Sequence, residues 1–201
     1  TAGTNLPNGV IIHYFLPNFN KESDEVNLSI HSSDGELIKE FSNKSKDNSI
    51  KVKKGGNSFV WDMKYPGAKR LDNMVLWGAD FSGAKTVPGD YIVKLSVNDS
   101  ELTQNFTIHK DPTSEGSIED IKAQFEFVNE INGVVDSAHK AIENIRKIKK
   151  DLTKFQSDYM DNESAKNLIQ ESKSIVESLD KVENELYQTK NQSNQDPLNY
   201  G

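Results

Sequence analysis

Apolar and polar residues change period once along this chain. Up to about residue 110 they tend to alternate, and beyond it they recur every three or four positions. In "EVNLSIH" Val26, Leu28 and Ile30 share one parity, with polar residues on the other, as a half-buried strand requires. Asp34-Gly35 is a strong hairpin turn, and "ELIKEFS" returns from it. "VIIHYF" predicts a short first strand, ended by Pro17. "SIKVKKG" predicts a weaker strand. "NSFVWDM" predicts another, with Phe59, Trp61 and Met63 on one side, stopped by Tyr65-Pro66-Gly67. "DYIVKLSV" and "ELTQNFTI" form the last hairpin, with Asn98-Asp99-Ser100 between them. Tyr91, Val93, Leu95 and Val97 face one way there, and Leu102, Phe106 and Ile108 can meet them across the pair. About seven short strands at this spacing predict an all-β immunoglobulin-like sandwich over residues 1–111.

Residues 112–116 read as a linker, with Pro112 and Gly116. Ser117-Ile-Glu-Asp120 then forms a capping-box pattern that opens a long helix over 117–157. Its apolar stripe includes Ile118, Ile121, Phe125, Val128, Ile131, Val135, Ala138, Ile142, Ile145, Ile148 and Leu152, with Phe155 and Tyr159 near its end. Asp161–Glu163 predicts a turn and a second N-cap. The second helix carries Ala165, Leu168, Ser172, Ile175, Leu179, Val182 and Leu186, a heptad seam. Residues 117–192 are therefore expected to form an all-α, antiparallel, coiled-coil-like hairpin. Val135, Ile148 and Ile169 lie beside that seam, so a third helix is expected to complete the bundle. The tail 193–201 would lead into it.

Charge and composition narrow the function classes. The 201-residue chain has a formal net charge of -7, which disfavours the clustered basic face of a nucleic-acid binder. The basic run "KSKDNSIKVKK" is broken by Asp47 and has no interleaved aromatics. Without cysteine there is neither a disulfide framework nor a thiolate metal site. No apolar run approaches the ~20 residues of a membrane span. The start at Thr1, with neither Met nor signal peptide, reads as a piece of something longer.

Candidate chemistry is sparse. His13, His31, His109 and His139 show no metal-ligand spacing. Asp62, Asp80 and Asp90 lie in or beside the long irregular stretch between strands. Nothing in the sequence pairs them across one substrate as a glycosidase requires. Neither a nucleophile elbow nor a phosphate loop is present. No catalytic residue, metal or cofactor is assigned. Phe59, Trp61 and Tyr91 read as core anchors. Trp77, Leu76 and Met74, joined by Tyr65, read as a contact surface. It would fold back over the sheet, meet a partner domain or stack against a sugar.

"GGNSFVWDMKYPGAK", then "LWG", then "TVPGDYIVKLSVNDSELTQNFTIHKDP" resembles the region that follows the propeller in bacterial sortilin-like, Asp-box (BNR) β-propeller proteins, often labelled glycosyl hydrolases. Their pattern is G-x-N-x-F-x-W-D-x-R-Y-P, then V-P-G-x-Y-x-V-x-L, then D-P-R and helices. "LPNGVIIHYFL", "LSIHSSDGELIKEFS" and the closing "DPLNY" are also similar. Lys64 and Thr113 stand where that pattern has Arg. The resemblance implies a non-catalytic C-terminal accessory region of an exported bacterial protein, packed against a propeller upstream in the same chain. Two alternatives are a carbohydrate-binding module that uses Trp77 and Tyr65, and one wall of a glycoside hydrolase cleft. A helix-mediated dimer is a further expected partner.

Overall fold

The computed structural model describes residues 3, 5–75, 80–193 and 196. The chain divides into two compact units, residues 1–67 with 82–129, and residues 68–81 with 130–201. The linker expected at 112–116 therefore lies inside the first unit.

The first unit contains six strands: β1 (Val10–Leu16), β2 (Val26–Ser32), β3 (Leu37–Ser42), β4 (Gly55–Trp61), β5 (Gly89–Val97) and β6 (Ser100–Ile108). They make two antiparallel sheets, β1-β4 and β3-β2-β5-β6. Residues of both sheets share one core. Val26, Leu28 and Ile30 of β2, the strand between β3 and β5, are fully buried there with Trp61. The alternation of β2 is thus realised residue by residue, because a strand presents every second side chain to one face. The β5–β6 hairpin turns on Asn98-Asp99, with Asn98 at φ 50°. Its register pairs Tyr91 with Phe106 and Leu95 with Leu102.

Two strand expectations are corrected. "SIKVKKG" forms no strand. Ser49 makes one isolated bridge to Ser42, and Ile50 is buried while its N–H donates to the Ser42 carbonyl (3.2 Å). The Asn57 side chain then takes the place of a strand partner: it accepts from the Lys53 N–H (2.9 Å) and donates to the Lys53 carbonyl (2.8 Å). The strand read in "NSFVWDM" starts earlier, at Gly55, and ends at Trp61 rather than Met63. Met63 sits at φ 58°, so the chain leaves the sheet plane before Tyr65-Pro66-Gly67 is reached.

The remaining elements are a 41-residue helix α1 (Ile118–Asp158), a 3-10 turn over Glu163–Ala165, and a 21-residue helix α2 (Lys166–Leu186). The capping box at the start of α1 is reciprocal. The Asp120 N–H donates to Ser117 Oγ (3.0 Å), and the Ser117 N–H donates to the Asp120 carboxylate (2.9 Å). The Ser117 hydroxyl also donates to that carboxylate (2.7 Å), and it and the Ser117 N–H hold the Asp120 pKa below its ordinary value. Asn162 caps the 3-10 turn by accepting from the Ser164 N–H.

Within the second unit α2 runs back along α1. Arg146 and Lys149 bond Glu183, and Gln156 bonds Ser172, so numbers rise on one helix as they fall on the other. The seam on α2 is rotated by one residue from its sequence pattern. Ala165 and Ser172 are buried and Leu179 half-buried, but Leu168, Ile175, Val182 and Leu186 are exposed. Ile169, Val176 and Glu183 take the inner positions instead. On α1, Ile142 and Ile145 are buried as the stripe predicts, whereas Ile131 and Ile148, and Tyr159 just past its end, are exposed. The tail expected at 193–201 lies mostly outside the described residues.

Candidate functional site

The long irregular stretch between β4 and β5 begins and ends in the first unit, and its middle, 68–81, belongs to the second. Its two ends are tied together. Lys64 and Lys85 form an antiparallel bridge, the Tyr65 N–H donates to the Ala84 carbonyl (2.9 Å), and the Thr86 N–H donates to the Met63 carbonyl (2.7 Å). Gly83 permits this closure. A Cβ there would stand 1.9 Å from the Tyr65 carbonyl oxygen, so any side chain would force the two strands of the neck apart.

The residues read as anchors hold the neck to the sheets. Trp61 is fully buried, edge-on to Tyr91 (6.2 Å between centroids) and Phe106 (6.3 Å), and its indole N–H donates to the Lys64 carbonyl (3.3 Å). Phe59 packs on Phe41 at 4.6 Å. The Tyr91 hydroxyl accepts from Thr86 Oγ1 (2.6 Å) and donates to the Val87 carbonyl (2.5 Å), four residues upstream. Both the aromatic and the polar ends of Tyr91 are thereby satisfied inside the protein.

The expected contact surface is only partly described. Leu76 and Trp77 lie outside the described residues. Tyr65 is half-buried, with its ring edge-on to Phe125 of α1 at 4.8 Å, and burial pushes its hydroxyl pKa up. Met74, in the second unit, is half-buried, and its N–H donates to the Leu71 carbonyl (3.3 Å). The structure does not bring Tyr65 and Met74 into one compact unit.

In the second unit residues 68–75 are strapped along one side of the helix hairpin. Ala68 and Leu71 are buried. The Lys69 N–H donates to Asp136 (2.6 Å), and the Val75 N–H donates to the Tyr187 hydroxyl (3.0 Å). His139 Nδ1 lies 2.5 Å from the Lys69 carbonyl. A carbonyl can only accept, so the proton sits on Nδ1. No metal-ligand or catalytic spacing in the sequence involves His139. Its signal was its place on the inner stripe of α1 beside Ala138 and Ile142. The partner, 70 positions away, has no local signature.

The chemistry that the site residues offer is mostly committed to structure. Asp62 caps the Lys64 N–H (3.2 Å) and lies 3.9 Å from Lys39. Asp90 accepts from Thr107 (2.6 Å). Asp80 belongs to the second unit, and Asp62 and Asp90 belong to the first. An open hollow of about 700 Å³ in the first unit is lined by residues that include Met63, Lys85, His109, Asp111 and Phe125. Asp111 there is occupied by the Thr113 N–H and hydroxyl, which hold its pKa below the ordinary value. Among the described residues no group of three or more His, Cys, Asp or Glu could hold a metal ion, and no helix is long and apolar enough to cross a membrane.

The densest ionic cluster joins the two helices. Glu183, nearly buried, receives Arg146 Nε (2.7 Å) and Lys149 Nζ (3.0 Å), and Lys149 also pairs with Asp180. Burial pushes the Glu183 carboxyl up, but the bonds from Arg146 and Lys149, with their charges, outweigh it, and its pKa lies below the ordinary value. The Asp180 hydrogen bond raises Lys149, burial opposes it, and the Glu183 contacts carry the balance upward. Arg146 also lies over the Tyr187 ring at 5.4 Å. Every charge in this cluster has a partner, and the pairs cross from α1 to α2.

No family model, no curated protein and no solved structure matches this chain.

Proposed function

We propose that this chain is a non-catalytic accessory region of a larger, exported bacterial β-propeller protein. It pairs an immunoglobulin-like sandwich with a helical hairpin and packs against or orients the propeller. The observation that carries this reading is the use made of the residues in the W-D-x-x-Y-P and V-P-G-x-Y segments. Trp61 is buried, Asp62 caps a backbone N–H, Tyr65 packs on Phe125, and Tyr91 bonds back to Val87. The motif residues thus build a closed neck for a long excursion and leave no cluster of free reactive groups. A buried Trp, together with a Tyr near a strand start whose hydroxyl bonds the backbone upstream, supports the immunoglobulin-like reading of the two sheets.

The reading predicts that the reading frame immediately upstream of Thr1 encodes several Asp-box repeats. It also predicts that the purified chain neither hydrolyses nor binds glycans, and that a propeller made separately gains thermal stability when the chain is added. An upstream frame without those repeats removes the propeller assignment. A glycan array with reproducible hits replaces the accessory role by the carbohydrate-binding one.

A further inference from the structure

The four-stranded sheet has one guarded edge and one open edge. At the guarded edge, the pairing of β3 with β2 shifts register between Ile30 and His31, the strand carries Lys39 and Glu40, and it ends in the Ser42–Ser49 bridge. Such devices keep an edge from pairing further. The open edge, β6, has none of them. It pairs with β5 over nine residues without a shift, holds neither Pro nor Lys nor Arg, and has Glu101 as its one charge. Residues 100–105 and Thr107 are exposed, and Leu102 is 72% exposed. The two-residue turn at Asn98-Asp99 fixes which backbone groups are free. Ser100, Leu102, Gln104, Phe106 and Ile108 exchange bonds with β5, so the N–H and C=O groups of Glu101, Thr103, Asn105 and Thr107 point away from it. Among the described residues none of those four N–H groups meets an acceptor outside the strand pair. Of the four carbonyls, that of Asn105 accepts from the Gln104 side-chain amide (3.1 Å) and keeps a second lone pair.

We infer that β6 pairs with β6 of a second copy, antiparallel about a two-fold axis at Gln104, so that two sheets join into one. The free backbone groups alone would take any strand. The order of the side chains selects a copy of this one. The register that overlaps the whole strand sets Gln104 opposite itself, Leu102 opposite Phe106, Thr103 opposite Asn105 and Glu101 opposite Thr107. The free groups of the last two pairs then face each other and form about eight backbone bonds. An axis normal to the sheet keeps each face on its own side, so the exposed Leu102 of each copy is covered by Phe106 of the other. Ser100 and Ile108 meet at the ends, the one mismatched pair. The one charge of the strand, Glu101, meets an uncharged residue and already has Lys94 at 3.6 Å. Asp90, bonded to Thr107, stands one strand further off. Sliding the register by two residues shortens the overlap and sets Gln104 against Leu102 or Phe106. Paired residues at roughly 50 Å² each bury about 900 Å² over both copies, below the standard interface size, as for a weak dimer.

The inference does not rest on the accessory role proposed above, and either can fail alone. Sedimentation equilibrium on the full chain should show monomer passing to dimer with a dissociation constant of about 10–100 μM. The chain has no cysteine, so Gln104→Cys adds a single thiol that meets its own copy across the axis. On oxidation it should cross-link at least about tenfold faster than Ser100→Cys, whose two copies lie about 27 Å apart in this register. An unrelated partner strand cannot produce that difference. Thr103→Pro removes an edge N–H that β5 does not use, so the hairpin keeps its bonds. It should weaken association at least about tenfold while the near-ultraviolet circular dichroism stays unchanged. Leu102→Glu, at an exposed position, should weaken it about as much without altering the backbone. A wild-type chain that stays monomeric at about 200 μM overturns the inference and leaves the edge to a strand of another protein. A dimer indifferent to Thr103→Pro and Leu102→Glu, or one in which Gln104→Cys cross-links no faster than Ser100→Cys, overturns it equally.

Discussion

In the sheet unit the apolar residues of β2 vanish completely, with Val26, Leu28 and Ile30 at 0% exposure. In the helical unit Ile142 is 1% exposed, yet Leu168, Ile175 and Val182 stand about half in water. The cause is geometric. The inner faces of two sheets cover each other, and every inward position of a central strand is lost to solvent. A pair of helices covers only the contact line between them, so a wide apolar stripe is used on one edge and left on the other. The two units therefore specify themselves differently. The sheets rely on close-packed aromatics around Trp61. The hairpin adds polar contacts between its helices, Arg146 and Lys149 on Glu183 and Gln156 on Ser172, to the buried Ile142 and Ile145.

The sharpest way to break this contrast is Trp61→Ala. It empties the space beside the packed rings of Tyr91 and Phe106 and should cost the sheet unit about 4 kcal/mol, read as a lower urea midpoint by near-ultraviolet circular dichroism. A loss under about 1 kcal/mol would mean that the core has a different centre. Gly83→Ala comes next. Its Cβ has no room beside the Tyr65 carbonyl, and the neck should lose about 3 kcal/mol, with faster amide exchange at Tyr65 and Thr86.

Glu183→Gln tests the other half of the contrast. Removing a nearly buried carboxylate from two cations should cost about 2 kcal/mol at neutral pH, less than a fully buried pair because Arg146 is 40% exposed. The pH dependence has a definite sign. The folded-state pKa of Glu183 lies below its ordinary 4.5, so its contribution is complete above that value and fades as pH falls through the folded pKa. Lys149 is raised above its ordinary 10.5, so its contribution is present below that value and fades as pH rises through the folded pKa. Thermal melts of the wild type at 222 nm should fall off on both sides, and Glu183→Gln should flatten the acid side. The smallest effect is expected from Ser117→Ala, which removes one arm of the capping box and should cost about 1 kcal/mol in the same melts.

The periodicity located nearly every element, because the 2-residue and 3.6-residue repeats are local properties of the chain. β2, the Asp34-Gly35 turn, the last hairpin and the Ser117 box could all be read directly. "SIKVKKG" could not, since its alternation resembles a strand while the Asn57 side chain supplies the partner bonds that a neighbouring strand would give. The role of the excursion was equally hidden. Its ends are joined by Gly83, Ala84 and Thr86, and its middle is bound by Asp136, His139 and Tyr187. Those partners lie some 20 to 110 positions away.

The amino-acid sequence alone determined the two structural classes, their order, and the anchor residues Trp61 and Tyr91. Hydrophobic period and turn chemistry act over a few residues and need no distant partner. Only the tertiary structure decided which edge of α2 turns inward. Leu168, Ile175 and Val182 are more apolar than Ile169, Val176 and Glu183 taken together, and a reading by hydrophobicity prefers them. Ile169, Val176 and Glu183 turn inward instead, and Glu183 receives Arg146 and Lys149 there, partners on the facing helix that no local pattern in α2 records.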